Sequence, residues 1–469
     1  MSDPRVHEMQ RGLEKALRRA YLADDRELMG RVRDEGHRLV FLLNGLVRTS
    51  RLYSVENDAL DQPAEDFATV LKGLLDLLGA VHLVTVEDQV FVNDVRLRVR
   101  PQEQVVVDAF AAELLRHEVG GLSFHAPLGT AAVKVLARAL GAPAERPPRT
   151  ALARRLQAVH DVEVFGRYRF RVSGERVSVV RSHDEVARQA AAVAREALAG
   201  LGSGRLPNPL PVRRAVVDMV DALPGHEDRA AAWPLRRASG NVGERHLVSV
   251  SHLALLLGRR LGLPEGALAD LGVAAMLHDV GYVAGAGRST HASAGLRLLS
   301  RQRGFHEGKL RRLRVVLEHH LPAYGPDEPP SIFARILRIA DDYDVLTAPR
   351  PEQPGLPPPM AQASMWAARG STYDSDLLAL FVQALGLYPP GSLLELSDGR
   401  WVVSVSGGRD EARFAWPVAR VVRRSDGSPC SGEESLDLAA TRDLLRPRRV
   451  LNPATLGLDV GAALSAAFG

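Results

Sequence analysis

The chain of 469 residues contains one cysteine, Cys430, and few aromatic residues. A single cysteine excludes an internal disulfide and a zinc site built from several cysteines. No run approaches eighteen uninterrupted apolar residues, so the sequence predicts no transmembrane helix. The N-terminus leads into charged residues rather than an apolar signal segment. We therefore expect a cytoplasmic protein with no membrane partner.

Concentrated basic charge is also lacking. The formal net charge is only +4. Arginine is much more frequent than lysine, but arginine-rich stretches such as 310–314 are interrupted by leucine, as in an ordinary solvated helix face. A surface that follows a phosphate backbone needs a denser basic patch with aromatic residues beside it. We therefore expect no nucleic-acid partner.

The first 200 residues predict a small α+β module. Apolar residues recur at helical spacing over 39–47 and 65–78. The period then changes to alternation, which predicts strands, and two further helices follow. We expect Gly120-Gly121 to end the first of these helices. This module is predicted to sense a signal, bind a partner or mediate a homodimer. The predicted strands lie at 81–86, 90–92 and 95–99, and the helices at about 102–117 and 130–140.

The later segments differ from this module in composition. Further strands are predicted at 162–165, 168–172 and 177–180, before a helix that we expect Asp184 to cap. Glycine and proline at 201–211 predict a linker. Helical periodicity dominates 212–385, and hairpin patterns make 386–469 a small β-rich segment. The fold class is therefore mainly α, and a chain of this length is expected to hold two to four domains.

The stretch Leu277-His278-Asp279-Val280-Gly281 is the most informative in the helical part. It ends an apolar run and places an imidazole beside a carboxylate, with Gly281 as the expected helix cap. Such groups are costly to desolvate unless something binds them. Other helices of the same region offer similar groups, mostly at their ends. The set comprises His246, His278, Asp279, His291, His319, His320 and Asp341.

Each of these residues taken alone is more often structural than functional. His246 could be a helix-surface histidine, and His319-His320 a cationic pair at a helix C-terminus. Their joint occurrence favours a metal site, since imidazoles and carboxylates suit first-row divalent metals. Seven groups exceed the needs of one ion. Asp279 could bridge two ions, and two ions can hold a hydroxide in line with a phosphorus atom.

At these residues the chain resembles the HD superfamily of metal-dependent phosphohydrolases, and most closely its HD-GYP branch. Leu277–Gly281 stands for the signature Leu-His-Asp-Ile-Gly. His291 to Gly295 matches a His-x-x-x-Gly motif, and the paired histidines are present. Residues 340–347, Ala-Asp-Asp-Tyr-Asp-Val-Leu-Thr, match the last motif of this branch. The resemblance covers about a third of the chain and implies an all-helical HD phosphohydrolase domain.

The resemblance also implies a ligand set and an activity. One metal would be bound by His246, His278, Asp279 and Asp341, and the second by Asp279, His291, His319 and His320. His278 and Asp279 would be the catalytic pair. Iron or manganese is the usual metal. The implied function is a phosphodiesterase of bacterial signalling that hydrolyses cyclic di-GMP, or a related phosphoester, with a hydroxide activated by both metals.

Two departures from the family pattern bear on the substrate and a third on the number of metal ions. Tyr282 replaces the lysine that usually follows the His-Asp motif. The Gly-Tyr-Pro signature is missing, and residues 321–326 stand in its place. Val242 stands where members with three metals carry a glutamate. The alternative is therefore a degenerate domain that binds a nucleotide or a signalling protein without catalysis. A nucleotide phosphohydrolase of the wider HD group is a third reading.

Overall fold

The computed structural model describes residues 9–13, 26–53, 57–86, 89–97, 102–167, 182–236, 242–302, 307–324, 328–349, 354–407, 411–430 and 434–468. The predicted fold class is confirmed: the chain is mainly α, with an N-terminal α+β module and C-terminal strands. The strands predicted at 168–172 and 177–180 lie outside the described residues.

The N-terminal module packs helices on one antiparallel sheet. The strand order is β3-β2-β1-β4-β5, and every neighbouring pair is antiparallel. The apolar stripe of the first helix is buried, because Leu39, Leu43 and Leu46 pack into the module core. The elements are α1 (Arg26–Ser50), α2 (Asp61–Leu78), β1 (Val81–Val86), β2 (Gln89–Val92), β3 (Val95–Arg96), α3 (Gln104–Arg116), β4 (Val119–Phe124), α4 (Thr130–Gly141), α5 (Pro148–Arg155) and β5 (Val162–Gly166).

The prediction that Gly120-Gly121 only ends a helix is wrong, because both glycines lie inside β4. A Cβ on Gly121 would come within 2.1 Å of the Leu83 carbonyl oxygen, and one on Gly120 within 2.4 Å of the Gly166 oxygen. The glycines therefore permit close approach of the flanking strands at a register shift. Because the glycine pair was interpreted as the end of a helix, strand β4 was not predicted.

Helix α6 (His183–Gly202) joins the module to the helical region. Its cap is Ser182 rather than the predicted Asp184, since the Ser182 hydroxyl accepts from the Glu185 amide in a capping box. Asp184 instead accepts from both terminal nitrogens of Arg236, at 2.7 and 2.6 Å. The apolar face of α6 shares a core cluster with the helices that follow the predicted linker. The division at 201–211 stays a prediction, but the shared core begins before it.

The helical region surrounds the apolar helix that ends at Leu277. Residues 265–284 are long and apolar enough to meet a length-and-composition test for a membrane span, but most of that stretch is buried in the protein. This burial is typical of a core helix. The helices of the region are α7 (Pro209–Ala222), α8 (Glu227–Ala232), α9 (Val242–Arg260), α10 (Glu265–Leu277), α11 (His291–Ser300), α12 (Glu307–Glu318), α13 (Ile332–Thr347), α14 (Pro358–Ala367) and α15 (Ser375–Leu385).

The C-terminal segment forms a second antiparallel sheet, in the order β10-β6-β7-β8-β9. The hairpin patterns predicted in this segment include one around Ser397-Asp398-Gly399, which the antiparallel pairing of β6 with β7 confirms. Ala232 packs into a cluster with Leu393 and Leu464, which attaches the sheet to the helical region. The elements are β6 (Leu393–Leu396), β7 (Trp401–Ser404), β8 (Val418–Arg423), β9 (Ser435–Asp437), β10 (Pro447–Val450) and α16 (Val460–Phe468).

Candidate metal centre

Five helices of the helical region bring all seven predicted ligands together. His246 lies near the start of α9, and His278 and Asp279 directly follow α10. The remaining ligands come from three further helices. Five helix positions far apart in sequence thus converge on one site, as the motif spacing predicts. His291 begins α11, His319 and His320 directly follow α12, and Asp341 lies within α13.

The first group of donors consists of His246, His278 and Asp279. One ligand atom from each lies within 4.8 Å of the others. Asp341 adjoins this group, because its Oδ1 atom lies 3.3 Å from Nε2 of His246 and 3.8 Å from Nε2 of His278. Two imidazoles and two carboxylates therefore meet at this position.

The second group consists of Asp279, His291, His319 and His320, whose ligand atoms also lie within 4.8 Å of one another. Oδ1 of Asp279 lies 3.2 Å from Nε2 of His291, whereas its Oδ2 lies 3.4 Å from Nε2 of His246. Oδ1 also lies 3.5 Å from Nε2 of His278, so Asp279 contacts donors of both groups and is common to both.

Backbone carbonyls fix the orientation of three imidazoles. Nδ1 of His278 donates to the Ala275 carbonyl at 2.7 Å. His291 and His319 repeat the arrangement on the carbonyls of Arg288 and Val316, each at 2.8 Å. A carbonyl only accepts, so the ring proton of a neutral imidazole lies on Nδ1. Nε2 of all three rings then presents a lone pair to the centre of the cluster.

These lone pairs test whether a metal fits the site. Nε2 of His291 lies 3.1 Å from Nε2 of His319 and 3.0 Å from Nε2 of His320. Nε2 of His278 is buried and has no hydrogen-bond partner among the described residues. Converging lone pairs and an unsatisfied buried nitrogen are unfavourable unless a cation satisfies them. The residues present therefore fit divalent metal ions.

The electrostatics of the cluster point the same way. Burial alone would raise the pKa of Asp279, but the charge of His278 and hydrogen bonds from His246 and His291 hold that pKa far below its usual value. Burial likewise opposes ionisation of Asp341, and the same two neighbours, His246 and His278, keep its pKa low. Burial next to His320 lowers the pKa of His319. Both carboxylates and His319 are therefore in the protonation states that bind metals. Against the effect of burial, the same carboxylates raise the pKa of His246 and His278, whose extra protons a metal ion would displace.

Asp344 is a residue of the site that the sequence reading missed. Its Oδ2 atom accepts from Nδ1 of His246 at 2.6 Å, and its Oδ1 accepts from the hydroxyl of Ser249. This contact directs Nε2 of His246 toward Asp279 and Asp341. Asp344 follows Asp341 by three residues on one helix face, and that spacing was a signal available in the sequence.

Gly281 has a role different from the predicted helix cap. Helix α10 ends at Leu277, and Gly281 lies in a short 3-10 segment, Val280–Ala284. A Cβ on Gly281 would come within 1.9 Å of the His291 carbonyl oxygen. The glycine therefore lets the backbone of His291 approach the segment that carries Asp279.

The ring of Tyr282, which is 45% exposed, stacks on His291 with 4.3 Å between centroids. Position 282 therefore presents an aromatic ring beside His291 instead of a cation. Arg314 of α12 donates to Glu318 at 2.7 Å. Arg338, which the sequence reading missed, donates to the His320 carbonyl at 2.9 Å and faces Nδ1 of the same residue at 3.5 Å. Arg338 therefore holds a cation against His320.

Comparison with known proteins decides the family of this region. The model of the HD domain family matches residues 243–346, the stretch that holds all seven candidate ligands. The chain contains an HD domain. With its relative described below, the match confirms the resemblance to HD-GYP-type members of the HD superfamily.

One curated relative of the HD chain is a cyclic di-GMP phosphodiesterase of Pseudomonas aeruginosa. The two are 28% identical over 207 residues, which is 39% of this chain and 50% of the relative. The chain thus matches about half the length of that relative. A solved structure described as an HDG"Y"P protein from Bdellovibrio bacteriovorus matches 65% of this chain and 94% of its own, with 12% identity and a TM-score of 0.36. That similarity is too weak to support an argument.

Proposed function

We propose that this protein is a metal-dependent phosphodiesterase of bacterial signalling. Its substrate would be cyclic di-GMP or a related phosphoester. The observation that carries the proposal is the pair of donor groups that share Asp279. One group alone would suit a structural or mononuclear site, whereas two adjacent groups suit a pair of ions that act on one phosphoryl group.

Each ion would have its own set of residues. His246, His278, Asp279 and Asp341 would hold one, and Asp279, His291, His319 and His320 the other. Iron or manganese suits these mixed nitrogen and oxygen donors. When bound, such a pair supplies Lewis-acid stabilisation of phosphoryl charge and activation of water.

The chain itself contributes orientation. Carbonyls of Ala275, Arg288 and Val316 hold three rings in one tautomer, and Asp344 holds a fourth. Partners of this kind commonly change metal affinity or activity by about 10- to 100-fold. Their presence at four of the five histidines supports a site built to bind metal rather than a chance cluster.

Cyclic di-GMP as the substrate is supported by the named activity of the Pseudomonas aeruginosa relative. The exposed ring of Tyr282 lies at the edge of the centre, above His291. An aromatic ring can stack on a nucleobase. We infer that Tyr282 contacts a guanine, which compensates in part for the missing lysine.

A second candidate function is a signalling scaffold that binds nucleotide or protein without turnover. The exposed Tyr282 in place of the family lysine is the observation that favours it. The intact donor set favours the enzyme, because a scaffold has no need of two convergent groups of lone pairs.

Elemental analysis joined to a substrate panel tests the proposal. Protein loaded with Mn²⁺ or Fe²⁺ should hold close to two ions per chain and cleave cyclic di-GMP or bis(p-nitrophenyl) phosphate. Asp279→Asn should abolish both properties, whereas Asp376→Asn, an exposed aspartate on α15, should retain both. Two bound ions without turnover of any diester would favour the scaffold, and protein that binds no transition metal would contradict both the metal assignment and the enzyme.

A further inference from the structure

A large apolar cavity lies between the N-terminal module and the HD domain. It encloses about 930 Å³, including its open mouth. One wall consists of Leu28, Met29 and Val32 from α1, and the opposite wall includes Val273, Ala274 and Leu277 from α10. Small-molecule sites occur preferentially at the interfaces of such units.

The polar groups of this cavity are few, and most of them donate hydrogen bonds. Lys309 and Arg312 of α12 line it, together with Asn208. Nδ2 of Asn208 is buried and has no hydrogen-bond partner among the described residues, while its Oδ1 caps α7 at Leu210. Asp94 is the carboxylate of the lining, and Arg213 pairs with it at 3.4 Å. The donors therefore outnumber the acidic groups.

Burial makes these cations costly. Desolvation and the nearby charge of Arg312 lower the pKa of Lys309 to about 7, although Asp94 opposes the shift. Arg312 is itself almost fully buried, with Asp270 at 3.7 Å as its carboxylate partner. Nζ of Lys309 already donates to the Gln302 carbonyl, but a carbonyl carries no compensating charge. An anion that enters the same space would relieve the buried positive charge. An apolar body with one negative group would match both the walls and the donors.

The cavity also contacts the helices that carry the candidate metal ligands. Leu277 directly precedes His278 and Asp279. Leu299 lies on α11, which begins at His291, and Val316 accepts the ring proton of His319 through its carbonyl. Three walls of the cavity are therefore continuous with ligand-bearing segments.

We propose that this cavity binds a small amphipathic anion, an apolar molecule with one acidic group, as an effector of the HD domain. The effector would sit between the N-terminal module and helices α10, α11 and α12, with its acidic group at Lys309, Arg312 and Asn208. The regulatory half of this inference rests on the proposed function, whereas the binding half does not.

The test uses two fluorescent probes on the full chain. 8-Anilinonaphthalene-1-sulfonate is an apolar anion, and N-phenyl-1-naphthylamine is its neutral counterpart. The sulfonate should bind once per chain. Lys309→Met should weaken it about tenfold or more, because a charge-assisted contact is lost, but should leave the neutral probe unchanged. Lys72→Met, on an exposed face of α2, is the matched control.

A filling variant locates the site. Leu299→Trp should block the sulfonate, whereas Leu298→Trp, beside it but outside the cavity lining, should not. Lys309→Gln serves if the methionine variant does not fold. The binding half is overturned if the sulfonate shows no saturable site, or if both probes bind alike and ignore Lys309. Those outcomes would mean that the chain's own side chains close the cavity or that it is a plain void.

The regulatory half is read from metal-dependent hydrolysis of bis(p-nitrophenyl) phosphate. Saturating sulfonate should change the rate at least twofold in the wild type and not in Leu299→Trp. An unchanged rate in an active, sulfonate-saturated protein would overturn regulation. A preparation without any hydrolysis would contradict the proposed function. The probe measurements alone would still decide whether the cavity binds the anion.

Discussion

Nδ1 of His246 donates a hydrogen bond to Oδ2 of Asp344, with 2.6 Å between the two atoms. Asp344 is buried, and its other oxygen accepts from Ser249. Burial lowers the pKa of His246, but hydrogen bonds to Asp279, Asp341 and Asp344 outweigh that effect and raise it well above its usual value. The ring is therefore oriented by a carboxylate that is not itself among the predicted ligands.

Asp344→Ala should weaken metal binding by about 10- to 100-fold, because the ring loses the partner that orients it. Competition with a fluorescent chelator measures the affinity. Asp376→Ala on α15 is the surface control. Metal affinity equal to that of the wild type would show that Asp344 has no orienting role.

Gly281→Ala should disturb the second donor group more than the first. The new methyl group would collide with the His291 carbonyl oxygen, so the start of α11 must move away from Asp279. We expect bound metal to fall from about two ions per chain toward one, by elemental analysis. Gly287→Ala is a matched control in the same connection, since no atom lies within 4 Å of its added Cβ. Full occupancy in Gly281→Ala would refute the close-approach explanation.

Glu318→Ala should destabilise the fold by about 3–5 kcal/mol, because removal of this fully buried carboxylate leaves its hydrogen-bond donors unpaired. Glu318 accepts from Gln10 at 2.9 Å, from Arg314 at 2.7 Å and from the Ser331 amide at 2.7 Å. Urea unfolding gives the change in free energy. The matched control is Glu307→Ala at the start of the same helix, where a surface pair with Arg311 is worth about 0.3–0.5 kcal/mol. Comparable losses in both variants would contradict the burial argument.

The pH dependence of stability should report the buried Lys309. Burial and the charge of Arg312 lower its pKa to about 7 in the folded chain, from the usual 10.5 of an exposed lysine. Between these values the unfolded chain holds a proton that the folded chain lacks, so this residue makes stability rise with pH from about 7 toward 10.5. The groups that face it are Arg312 and Asp94, with Asp270 and Arg213 beside them.

Lys309→Met should remove this rise. Unfolding in urea at pH 6.5 to 9 measures it, and the difference between wild type and variant isolates the lysine from other titrating groups. Each pH unit should change that difference by at most about 1.4 kcal/mol. Lys72→Met should leave the wild-type slope intact. A constant difference across the range would place the pKa of Lys309 elsewhere.

Much of the fold follows from periodicity. The stripe of Leu39, Leu43 and Leu46 and the ligand helices around His278 and Asp341 were predictable, because burial of one helix face leaves a regular pattern. Strand β4 was not predictable in this way, since Gly120 and Gly121 serve the approach of neighbouring strands. Close approach between distant segments leaves no periodic trace in the sequence.

The candidate site likewise combines features that were predictable from the sequence with features that were not. The sequence motif indicated all seven candidate ligands, and the structure places them together, although their role as ligands stays a prediction. The supporting contacts were harder to predict. The carbonyls of Ala275 and Val316 carry no side-chain signal at all, and Arg338 reaches His320 only because α13 packs beside the end of α12. Of these supporting residues, only Asp344 was indicated by the sequence, because its spacing of three residues places it on the same helix face as Asp341.

Asp279 lies in both donor groups, with Nε2 of His246 near its Oδ2 atom and Nε2 of His291 near its Oδ1 atom. If each group binds an ion, the occupancies of the two positions are thermodynamically linked through this carboxylate. If an ion at one position changes the affinity of the other by some factor, the reverse effect has the same size. Metal loading of this protein should therefore follow a single coupled isotherm rather than two independent ones, and the availability of metal in the cell would itself be an input to the proposed activity.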